Sequence, residues 1–495
     1  MLRIFHRYTS LKALFLCSGD IALAFACLLA GAVIRNAGDL GPIDRLLSRP
    51  SFVLATVLFV SFIQLILHVT NCYQLDGPYT AKDWSRFVKA LAAGCLIPGL
   101  LCIAPLGLIL GRGGLLIGLT LLFTLTVFGR WMFETAWTQV PFGTVAILGS
   151  GELARHVAHE IHVRRDLNWR FAGFIVEDEL ELSAQVGPVI GSCRNLEHIV
   201  ADAGVTLVVV AQEQQRGRLP VGALVSLRTA GIAVEDAASM LAALTGRIWL
   251  NVVRPSWFVF TGGFRRPLYL RFAKRTIDIV AACTGFVICL PIMAVVAILI
   301  RLDSKGPILY RQVRIGYRGA PFTLLKFRSM RQDAEAGGAQ WAAQNDPRIT
   351  NIGAFLRKFR LDELPQFINV IRGEMGLIGP RPERPDFTDQ LRTAIPFYDE
   401  RHSMRPGITG LAQVRYRYCT TIQDAFRKLE YDMFYLKYLS LSFDVFILFL
   451  TARTVLLGAE WVDNDVEVPD FLSIEKAAMT KEETKGEAKG MTRGE

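Results

Sequence analysis

Residues 360–366 read Arg360-Leu361-Asp362-Glu363-Leu364-Pro365-Gln366, and this stretch decides how the carboxyl-terminal half of the chain is interpreted. It sets two adjacent carboxylates beside an arginine. Further arginines follow in Gly379-Pro380-Arg381-Pro382 and in Arg405-Pro406-Gly407-Ile408-Thr409-Gly410. Paired carboxylates among arginines are suited to phosphate chemistry, because guanidinium groups bind phosphate oxygens in a fixed geometry.

The local spacing predicts a short helix after the two acids. Pro365 suits the first turn of a helix, which runs to about Arg372, and Gly373 suits its end. Asp362 and Glu363 therefore lie just before or at the amino-terminal end, where the helix dipole favours anions. Taken alone, the pair could equally be two capping acids.

Other segments set this pair in a longer pattern. Lys326-Phe327-Arg328-Ser329-Met330 precedes it, and Arg405-Pro406-Gly407-Ile408-Thr409-Gly410-Leu411-Ala412-Gln413-Val414 follows it. Over residues 270–460 the combined pattern resembles the catalytic domain of bacterial polyprenyl-phosphate sugar-1-phosphate transferases, the monotopic phosphoglycosyl transferases. A mainly helical α+β catalytic domain is what this resemblance implies.

The resemblance also implies a reaction. Asp362 would be the nucleophile that attacks the sugar-proximal phosphorus of a UDP-sugar, releases UMP and forms an aspartyl phospho-sugar intermediate. Undecaprenyl phosphate would then take the sugar phosphate and give polyprenyl-diphosphate-sugar. Asp362 and Glu363 would be the metal ligands, and Glu363 would help to place Mg²⁺ or the substrate. A hard cation is required in some form, since carboxylates repel a diphosphate unless a metal ion bridges them.

Further site residues are suggested by the same motifs. Arg381 and Arg405 lie beside prolines and are candidates for fixed guanidinium forks on a phosphate or the uridine end. The remaining substrate-binding candidates are Lys326, Arg328, Gln413 and Asp432; the last matches a further acidic position and is a candidate to complete the metal or substrate site. Any one of the cations could instead be a solvated surface charge or a lipid-headgroup contact.

One segment departs from the family pattern. After Val414 the chain reads Arg415-Tyr416-Arg417-Tyr418, where many members have Asn-Gly-Arg. The departure leaves the sugar open, and UDP-glucose or UDP-galactose is the expectation from chain length and layout.

Composition indicates a membrane protein. The 495 residues are 52% hydrophobic, with a mean hydropathy of +0.33. Apolar stretches close to the roughly 20 residues that cross a bilayer lie within residues 1–135: Leu11 to Ile34, Ser51 to Val69, Val88 to Leu110 and Leu115 to Phe133. The sequence predicts four transmembrane helices, the first a retained anchor and not a cleaved signal.

A Rossmann-like α/β domain is predicted for residues 142–250. The apolar strand Val145-Ala146-Ile147-Leu148 runs into Gly149-Ser150-Gly151, which opens a helix, so Gly149 and Gly151 are nucleotide-binding candidates. Glu177 and Asp178 follow a second strand and could meet a ribose. Alternatively, the glycines only form a tight turn in a structural or regulatory module.

This middle region lacks the residues of one enzyme class. No tyrosine occurs between Tyr79 and Tyr269, and no lysine between Lys89 and Lys274. A dehydrogenase or sugar dehydratase that uses a Tyr-x-x-x-Lys pair for acid–base catalysis is therefore excluded here.

A fifth apolar stretch, residues 277–300, is flanked by cations on both sides. A spanning helix would put one cationic flank on the translocated side, whereas a re-entrant helix keeps both in the cytoplasm. Pro291 removes a hydrogen bond near the middle, so a sharp break is expected there. Many family members have Ser-Pro at this point, and this chain has Leu290-Pro291.

The charge and cysteine content exclude other classes. The net charge of +10 comes without an aromatic-basic recognition motif, so we expect no nucleic acid as partner, and membrane lipids and phosphate substrates account for the charge. Nine cysteines without a Cys-x-x-Cys pair indicate neither a disulfide framework nor zinc.

The overall prediction is an α/β membrane protein in the bacterial inner membrane. An even number of spans and the basic middle region place the catalytic domain on the cytoplasmic face. Residues from Phe434 to Leu457 are expected on the membrane surface, and residues 475–495 are expected to be disordered. A homodimer is a hypothesis, and a non-catalytic membrane scaffold is the alternative to the enzyme.

Overall fold

The computed structural model describes residues 3–4, 7–8, 11–35, 50–70, 72–73, 80–101, 105–137, 143–176, 188–211, 219–251, 253, 257–258, 262–264, 266–332, 334, 346–416 and 421–457. The chain divides into two compact units, Met1–Gly246 and Arg247–Glu495. Residues 247–250, which we included in the middle domain, belong to the second unit. The predictions for Glu177 and Asp178 and for the tail at residues 475–495 lie outside the described residues.

The first unit begins with a short antiparallel hairpin and long apolar helices. Their bounds are β1 Arg3–Ile4, β2 Arg7–Tyr8, α1 Leu11–Arg35, α2 Pro50–Val69, α3 Ala81–Leu101 and α4 Pro105–Trp137. The third predicted span, Val88 to Leu110, covers the end of α3, which runs to Leu101, and the start of α4 at Pro105; residues 102–104 lie outside the described residues.

By length and composition, three of the described helices are able to cross a membrane. These are Lys12–Arg35, Gly113–Thr135 and Leu268–Asp303, with Thr56–Val69 as a shorter apolar helix. Helix α3 carries four charged residues in its first half, at positions 82, 83, 86 and 89. The count of four spans therefore stays a prediction.

Helices α1 and α4 form a close antiparallel pair. A Cβ added to Gly31 would meet the backbone of Gly114 and Gly118, so glycines let the two backbones approach. At the other end, Lys12 Nζ donates a hydrogen bond to Glu134 Oε2 at 2.7 Å. The start of α1 and the end of α4 therefore lie on the same side of this bundle.

Polar groups buried in the bundle also pair with one another. Arg130 Nη2 lies 3.6 Å from Asp20 Oδ2, and Tyr73 donates a hydrogen bond from its hydroxyl to the same oxygen at 2.7 Å. The Arg130 guanidinium also lies over the rings of Tyr73 and Phe87. These contacts explain how an apolar helix accommodates Asp20, because a buried charge needs a partner.

The rest of the first unit is a parallel sheet with helices. Its strand order is β5-β4-β3-β6-β7, with every pairing parallel, as in doubly wound folds. The bounds are β3 Gly143–Leu148, α5 Glu152–Val163, β4 Trp169–Val176, β5 Val189–Ser192, α6 Leu196–Asp202, β6 Leu207–Val210, α7 Val221–Thr229, β7 Ala233–Asp236 and α8 Ala237–Thr245.

The second unit combines a long helix with short strands and helices. Its elements are α9 Leu268–Asp303, β8 Leu309–Ile315, β9 Pro321–Phe327, α10 Asn351–Lys358, α11 Gln366–Arg372, β10 Gly376–Ile378, α12 Pro385–Ala394, β11 Gly407–Thr409, α13 Leu411–Arg415, α14 Ile422–Lys437 and α15 Leu441–Leu457. Strands β8 and β9 pair antiparallel, and β10 pairs with β11 in parallel.

Helix α9 is continuous through Pro291, so the predicted break is not present as an interruption of the helix. One missing hydrogen bond can be tolerated where the neighbouring turns keep theirs. Near its start, Lys274 Nζ donates to Asp444 Oδ2 at 2.7 Å. Near its end, Val296 and Ile300 share a core with Leu356. Both ends of α9 therefore pack against the same unit.

One surface prediction is wrong. The run that begins at Phe434 was expected on the membrane surface, but Phe434, Tyr435 and Leu436 are at most 2% exposed. They form the buried end of α14. An apolar run interrupted by Lys437, Asp444 and Arg453 is compatible with core helices as well as with interfacial ones, and these three residues are at most 8% exposed. Helix α15 does expose Val445.

Candidate active site

The turn that carries the acidic pair, Asp362 and Glu363, is shaped by the residues on either side of it. Arg360 adopts the left-handed conformation, with φ 54°, and residues 361–363 form a 3₁₀ turn. Pro365 precedes α11, which ends at Gly373 with φ 89°. The predicted helix and its position relative to the pair are thus present. A non-glycine residue in this conformation is uncommon and often marks a functional turn.

Lys326 reaches the acidic pair because α11 is fixed to strand β9. The Asn369 side chain accepts a hydrogen bond from Leu325 N at 3.1 Å and donates one to Thr323 O at 2.8 Å. These bonds hold the helix against the strand in the three residues before Lys326. The Lys326 Nζ consequently lies 3.5 Å from Glu363 Oε1.

The two glycine-proline motifs meet backbone to backbone. A Cβ on Gly407 would meet Gly379 N, and one on Gly410 would meet Gly379 O. The parallel pairing of β10 with β11 needs this close approach. It places Arg381, three residues after the end of β10, beside the turn that holds the acidic pair.

Glu363 is held by three cations. Arg381 Nη2 donates a hydrogen bond to Glu363 Oε1 at 2.9 Å, Lys326 approaches the same oxygen, and Arg360 Nη1 lies 3.4 Å from Oε2. Burial acts to raise the pKa of Glu363, but the three cations together hold it well below its usual range. Glu363 is therefore ionised at neutral pH and is already fully engaged.

Asp362 has a different environment from its neighbour. It is 8% exposed, and no described residue makes a hydrogen bond or ion pair with its carboxylate. Burial and then the charge of Glu363 raise the pKa of Asp362, against the attraction of Lys326, Arg357 and Arg381. A carboxylate that is unengaged and incompletely stabilised is the more reactive of the two.

Lys326 is a largely buried cation, with a side chain 17% exposed, and its pKa is shifted. Burial, followed by the nearby Arg381 charge, lowers the pKa of Lys326 to about 8, although Glu363 and Asp362 oppose the shift. Below that pH it supplies a positive charge next to both carboxylates.

Gln413 joins this group through Arg381. Arg381 Nη1 donates to Gln413 Oε1 at 3.3 Å, and the buried Gln413 Nε2 has no hydrogen-bond partner among the described residues. Of the residues proposed from sequence, the structure therefore brings together Asp362, Glu363, Lys326, Arg381 and Gln413.

Arg328 is placed elsewhere. Its guanidinium donates to Lys305 O at 2.9 Å and to Ser304 O at 2.7 Å, just after the end of α9. It is 6% exposed, and its charge is used to satisfy the carbonyls of this turn. No contact joins it to the acidic pair among the described residues.

Arg405 also lies away from the acidic pair. Its Nε donates to Gly373 O at 2.9 Å, and its guanidinium lies over the ring of Tyr317. The side chain is exposed, and no contact joins it to Asp362 or Glu363 among the described residues.

Asp432 is buried and paired. It is 2% exposed, and Arg401 Nη2 lies 2.9 Å from its Oδ2. Burial raises the pKa of Asp432 to about 6, although Arg401 opposes the shift. Arg401 lies in no recognisable motif and was not predicted as a site residue. Arg360 was recognised only as the arginine two residues before Asp362, without a role.

The fit of the site to Mg²⁺ depends on which oxygens are available. Both oxygens of Glu363 face cations, whereas those of Asp362 are not engaged by described residues. The part of the chain that the structure describes contains no cluster of three or more His, Cys, Asp or Glu side chains that could hold a metal ion. The residues therefore fit an ion that takes most of its oxygen ligands from a diphosphate and water, with Asp362 as the protein ligand.

In the first unit, Gly149 and Gly151 lie where the sequence predicted. Gly149 has φ 123°, and Gly151 precedes α5 without a side-chain cap. This is the carboxyl end of the central strand β3, where parallel sheets bind ligands. The nucleotide assignment stays a prediction.

Comparison with known proteins identifies the second unit. Residues 269–458 match the family described as bacterial sugar transferase. The chain is also 39% identical over 184 residues, 36% of its length, to the exopolysaccharide production protein PSS of Rhizobium leguminosarum, and the match covers 92% of that protein. The chain belongs to the bacterial sugar transferase family.

Two longer relatives carry more specific names. The UDP-N-acetylgalactosamine-undecaprenyl-phosphate N-acetylgalactosaminephosphotransferase of Aeromonas hydrophila is 48% identical over 192 residues, 39% of this chain and 45% of that protein. The undecaprenyl-phosphate glucose phosphotransferase of Komagataeibacter xylinus is 33% identical over 327 residues, 62% of this chain and 58% of that protein. The chain thus aligns with about half of each of these sugar transferases.

Proposed function

We propose that this sugar transferase moves a sugar-1-phosphate from a UDP-sugar to undecaprenyl phosphate, with release of UMP, as the first membrane step of exopolysaccharide, capsule or O-antigen assembly. The observation that carries the proposal is the unengaged Asp362 carboxylate beside Glu363, whose oxygens are held by Arg381, Lys326 and Arg360. One acid is free to react while its neighbour orders the surrounding cations.

The reaction has two displacements at the same phosphorus. An oxygen of Asp362 attacks the sugar-proximal phosphorus of the UDP-sugar, and the bond to the bridging oxygen breaks as UMP leaves. An oxygen of undecaprenyl phosphate then attacks the aspartyl phospho-sugar, and the bond to Asp362 breaks. Asp362 regains its carboxylate, so no other reactant is required.

The cations have separate tasks in this scheme. Arg381 and Lys326 face the site and would bind the diphosphate oxygens, where charge builds up as UMP leaves. Glu363 acts as their counter-ion and keeps them in place before substrate arrives. Mg²⁺, when bound, would neutralise further phosphate charge, with Asp362 beside it.

The contacts of α9 support a re-entrant placement in the membrane. A helix that crosses the roughly 30 Å hydrocarbon core has its two ends on opposite faces. Here Lys274 and Ile300, near the two ends, pack against one compact unit. Between them Val287, Ile288 and Leu290 are exposed. We propose that these apolar residues enter the lipid and that both ends stay at the cytoplasmic face of the inner membrane.

The identity of the transferred sugar and the oligomeric state are expectations. Names of the relatives include both N-acetylgalactosamine and glucose. UDP-glucose and UDP-galactose are our expected donors. A homodimer would be tested by mass photometry in lipid discs, and a single-chain mass would exclude it.

The test is nucleotide release by the purified protein in lipid discs with Mg²⁺, undecaprenyl phosphate and a panel of UDP-sugars. We expect UMP from one donor, and none from Asp362→Asn. Release of UDP would mean ordinary glycosyl transfer. No release from any donor would favour the non-catalytic scaffold, the second candidate.

A further inference from the structure

The segment that carries Arg381 has no regular secondary structure and is held by its carbonyl groups. Pro380 and Pro382 lack an N–H, so this stretch has few donors to offer. Instead, Pro380 O accepts from Gly407 N at 2.9 Å, Arg381 O accepts from Arg401 Nη2 at 3.1 Å, and Pro382 O accepts from Arg314 Nη1 at 3.1 Å. Three consecutive carbonyls are thus fixed by separate donors.

The middle of these anchors, Arg401, is itself fixed on its other sides. Its Nη2 lies 2.9 Å from Asp432 Oδ2, and its Nη1 donates to the Tyr398 hydroxyl at 2.7 Å. Arg401 is 5% exposed, Asp432 2% and Tyr398 1%. A planar guanidinium can serve all three partners at once, which an ammonium group cannot do with the same geometry.

We propose that Arg401 and Asp432 are positioning residues for Arg381. Asp432 orients the Arg401 guanidinium, Arg401 holds the Arg381 carbonyl, and the Arg381 side chain is thereby directed to Glu363 and to the diphosphate of the donor. This inference rests on the function proposed above. It also gives Asp432 a role other than ligation of substrate or metal.

The burial of the pair favours this role over direct contact with substrate. A charge pair that is removed from water contributes little net stability, so stability alone does not explain why this buried position carries charges. Both side chains are less exposed than Asp362 and Glu363, and they face each other, Tyr398 and the Arg381 carbonyl. The one connection from Arg401 towards the acidic pair, among the described residues, passes through the backbone of Arg381.

The chain offers a matched control on the same helix. Glu430 is 1% exposed and pairs with Arg247 Nη1 at 2.6 Å and Arg427 Nη1 at 2.8 Å. Like Asp432, it is a buried acid of α14, and its neutralisation leaves buried arginine charge without a counter-ion. No contact joins its partners to Arg381 or Glu363 among the described residues. Glu430→Gln therefore reproduces the stability cost without the connection.

The experiment compares steady-state UMP release by wild type, Asp432→Asn, Arg401→Lys and Glu430→Gln in lipid discs. A misdirected Arg381 should raise KM for the UDP-sugar about 10- to 100-fold in the first two variants. Glu430→Gln should keep the wild-type KM. Because KM does not depend on the fraction of folded protein, partial unfolding does not produce this result. Equal KM values in all variants would overturn the proposal.

A double-mutant cycle tests the route through Arg381. In an Arg381→Ala background, Asp432→Asn should have no further effect on kcat/KM, since the side chain it positions is gone. Full additivity would overturn the proposal. If Asp432→Asn does not fold, Tyr398→Phe removes one partner of Arg401 at lower cost and should shift KM in the same direction; an unchanged KM there contradicts the proposal.

Binding of UDP without turnover separates this inference from the proposed function. If wild type releases no nucleotide, the proposed function fails. Calorimetric titration of UDP then still tests positioning. Weaker binding to Asp432→Asn than to Glu430→Gln supports the role, and equal binding to both rejects it.

Discussion

Arg381 donates a hydrogen bond to Glu363 at 2.9 Å, so the cation best placed to bind a diphosphate is already paired with an acid of the protein. Glu363 is buried and the Arg381 side chain is partly exposed, while Lys326 approaches the same Glu363 oxygen. Its neighbour Asp362 receives no such bond from a described residue. The two acids of one motif therefore differ in what they contact, and opposite consequences follow from neutralising each.

Asp362→Asn should abolish UMP release and raise the melting temperature. Burial and the Glu363 charge raise the pKa of Asp362. Above that pKa the ionised carboxylate lowers the stability of the folded protein, and the neutral amide of asparagine removes this cost at neutral pH. Thermal melting at pH 7 measures this. A lower melting temperature would show that Asp362 has a stabilising partner.

Glu363→Gln should lower the melting temperature instead. The pKa of Glu363 is held low by its cations, so its charge contributes stability at neutral pH that would be lost only as the pH falls through that low value. Removal of the charge leaves Arg381 and Lys326 without their counter-ion. Because the Arg381 side chain is 35% exposed, water offsets part of this loss, and the cost is smaller than for a fully buried pair. An unchanged melting temperature would mean that water already screens this cluster.

The rate should fall above about pH 8 because of Lys326. Burial and Arg381 lower its pKa to about 8, so Lys326 is charged below that pH and neutral above it. We expect kcat/KM to decrease about tenfold per pH unit on this side. The Lys326→Arg variant stays charged above pH 8, so it should lose the decrease in kcat/KM on the basic side of the pH profile. The Lys358→Arg variant changes an exposed lysine and should keep that decrease. A basic limb that persists in Lys326→Arg would assign it to another group.

Local sequence chemistry predicted the turn around the acidic pair well. Pro365 and Gly373 fix the ends of α11 through their own backbone preferences, which are independent of the rest of the fold. The positions of Asp362 and Glu363 follow from these two residues. The strand and glycine turn at Gly149 were predictable for the same reason.

The partners of the arginines could not be predicted in this way. Arg328 lies two residues after Lys326, so strand alternation alone would predict that both side chains point to the same face. Strand β9 ends at Phe327, however, and the Arg328 guanidinium binds carbonyls 23 and 24 residues earlier. Arg401 acts through a backbone oxygen 20 residues away. Such pairings depend on tertiary packing, and neither residue type nor spacing records them.

Arg328→Lys should therefore destabilise the protein without weakening donor binding. Lysine cannot donate to Ser304 O and Lys305 O in the fork geometry of arginine, so the turn after α9 loses a fixed bond. We expect a lower melting temperature with an unchanged KM for the UDP-sugar. Arg381→Lys should instead raise that KM. A raised KM in Arg328→Lys would return Arg328 to the substrate site.

Gly407→Ala should disrupt the contact between the two glycine-proline motifs. An added Cβ would meet Gly379 N and the backbone of Ile378, neither of which can move independently. We expect a loss of about 2–3 kcal/mol in stability and a loss of activity, since Arg381 follows this contact. Gly262→Ala is the control, because a Cβ there meets nothing within 4 Å. Equal melting temperatures for the two variants would contradict the close approach.

The two ends of α9 should be labelled from the same side of the membrane. Leu268 and Leu302 are 77% and 78% exposed and flank the apolar part of the helix. In a chain whose native cysteines are replaced, each is changed to cysteine, and a membrane-impermeant maleimide is added to intact cells and to inside-out vesicles. A re-entrant helix gives labelling of both positions in vesicles and of neither in cells. A spanning helix gives one position in each preparation, because about 30 Å of hydrocarbon then separates the two ends.

Cysteine at Ile288, in the exposed apolar middle of α9, should resist labelling in both preparations if this part of the helix lies in lipid. Labelling there from either side would place it in water and contradict the membrane dip itself.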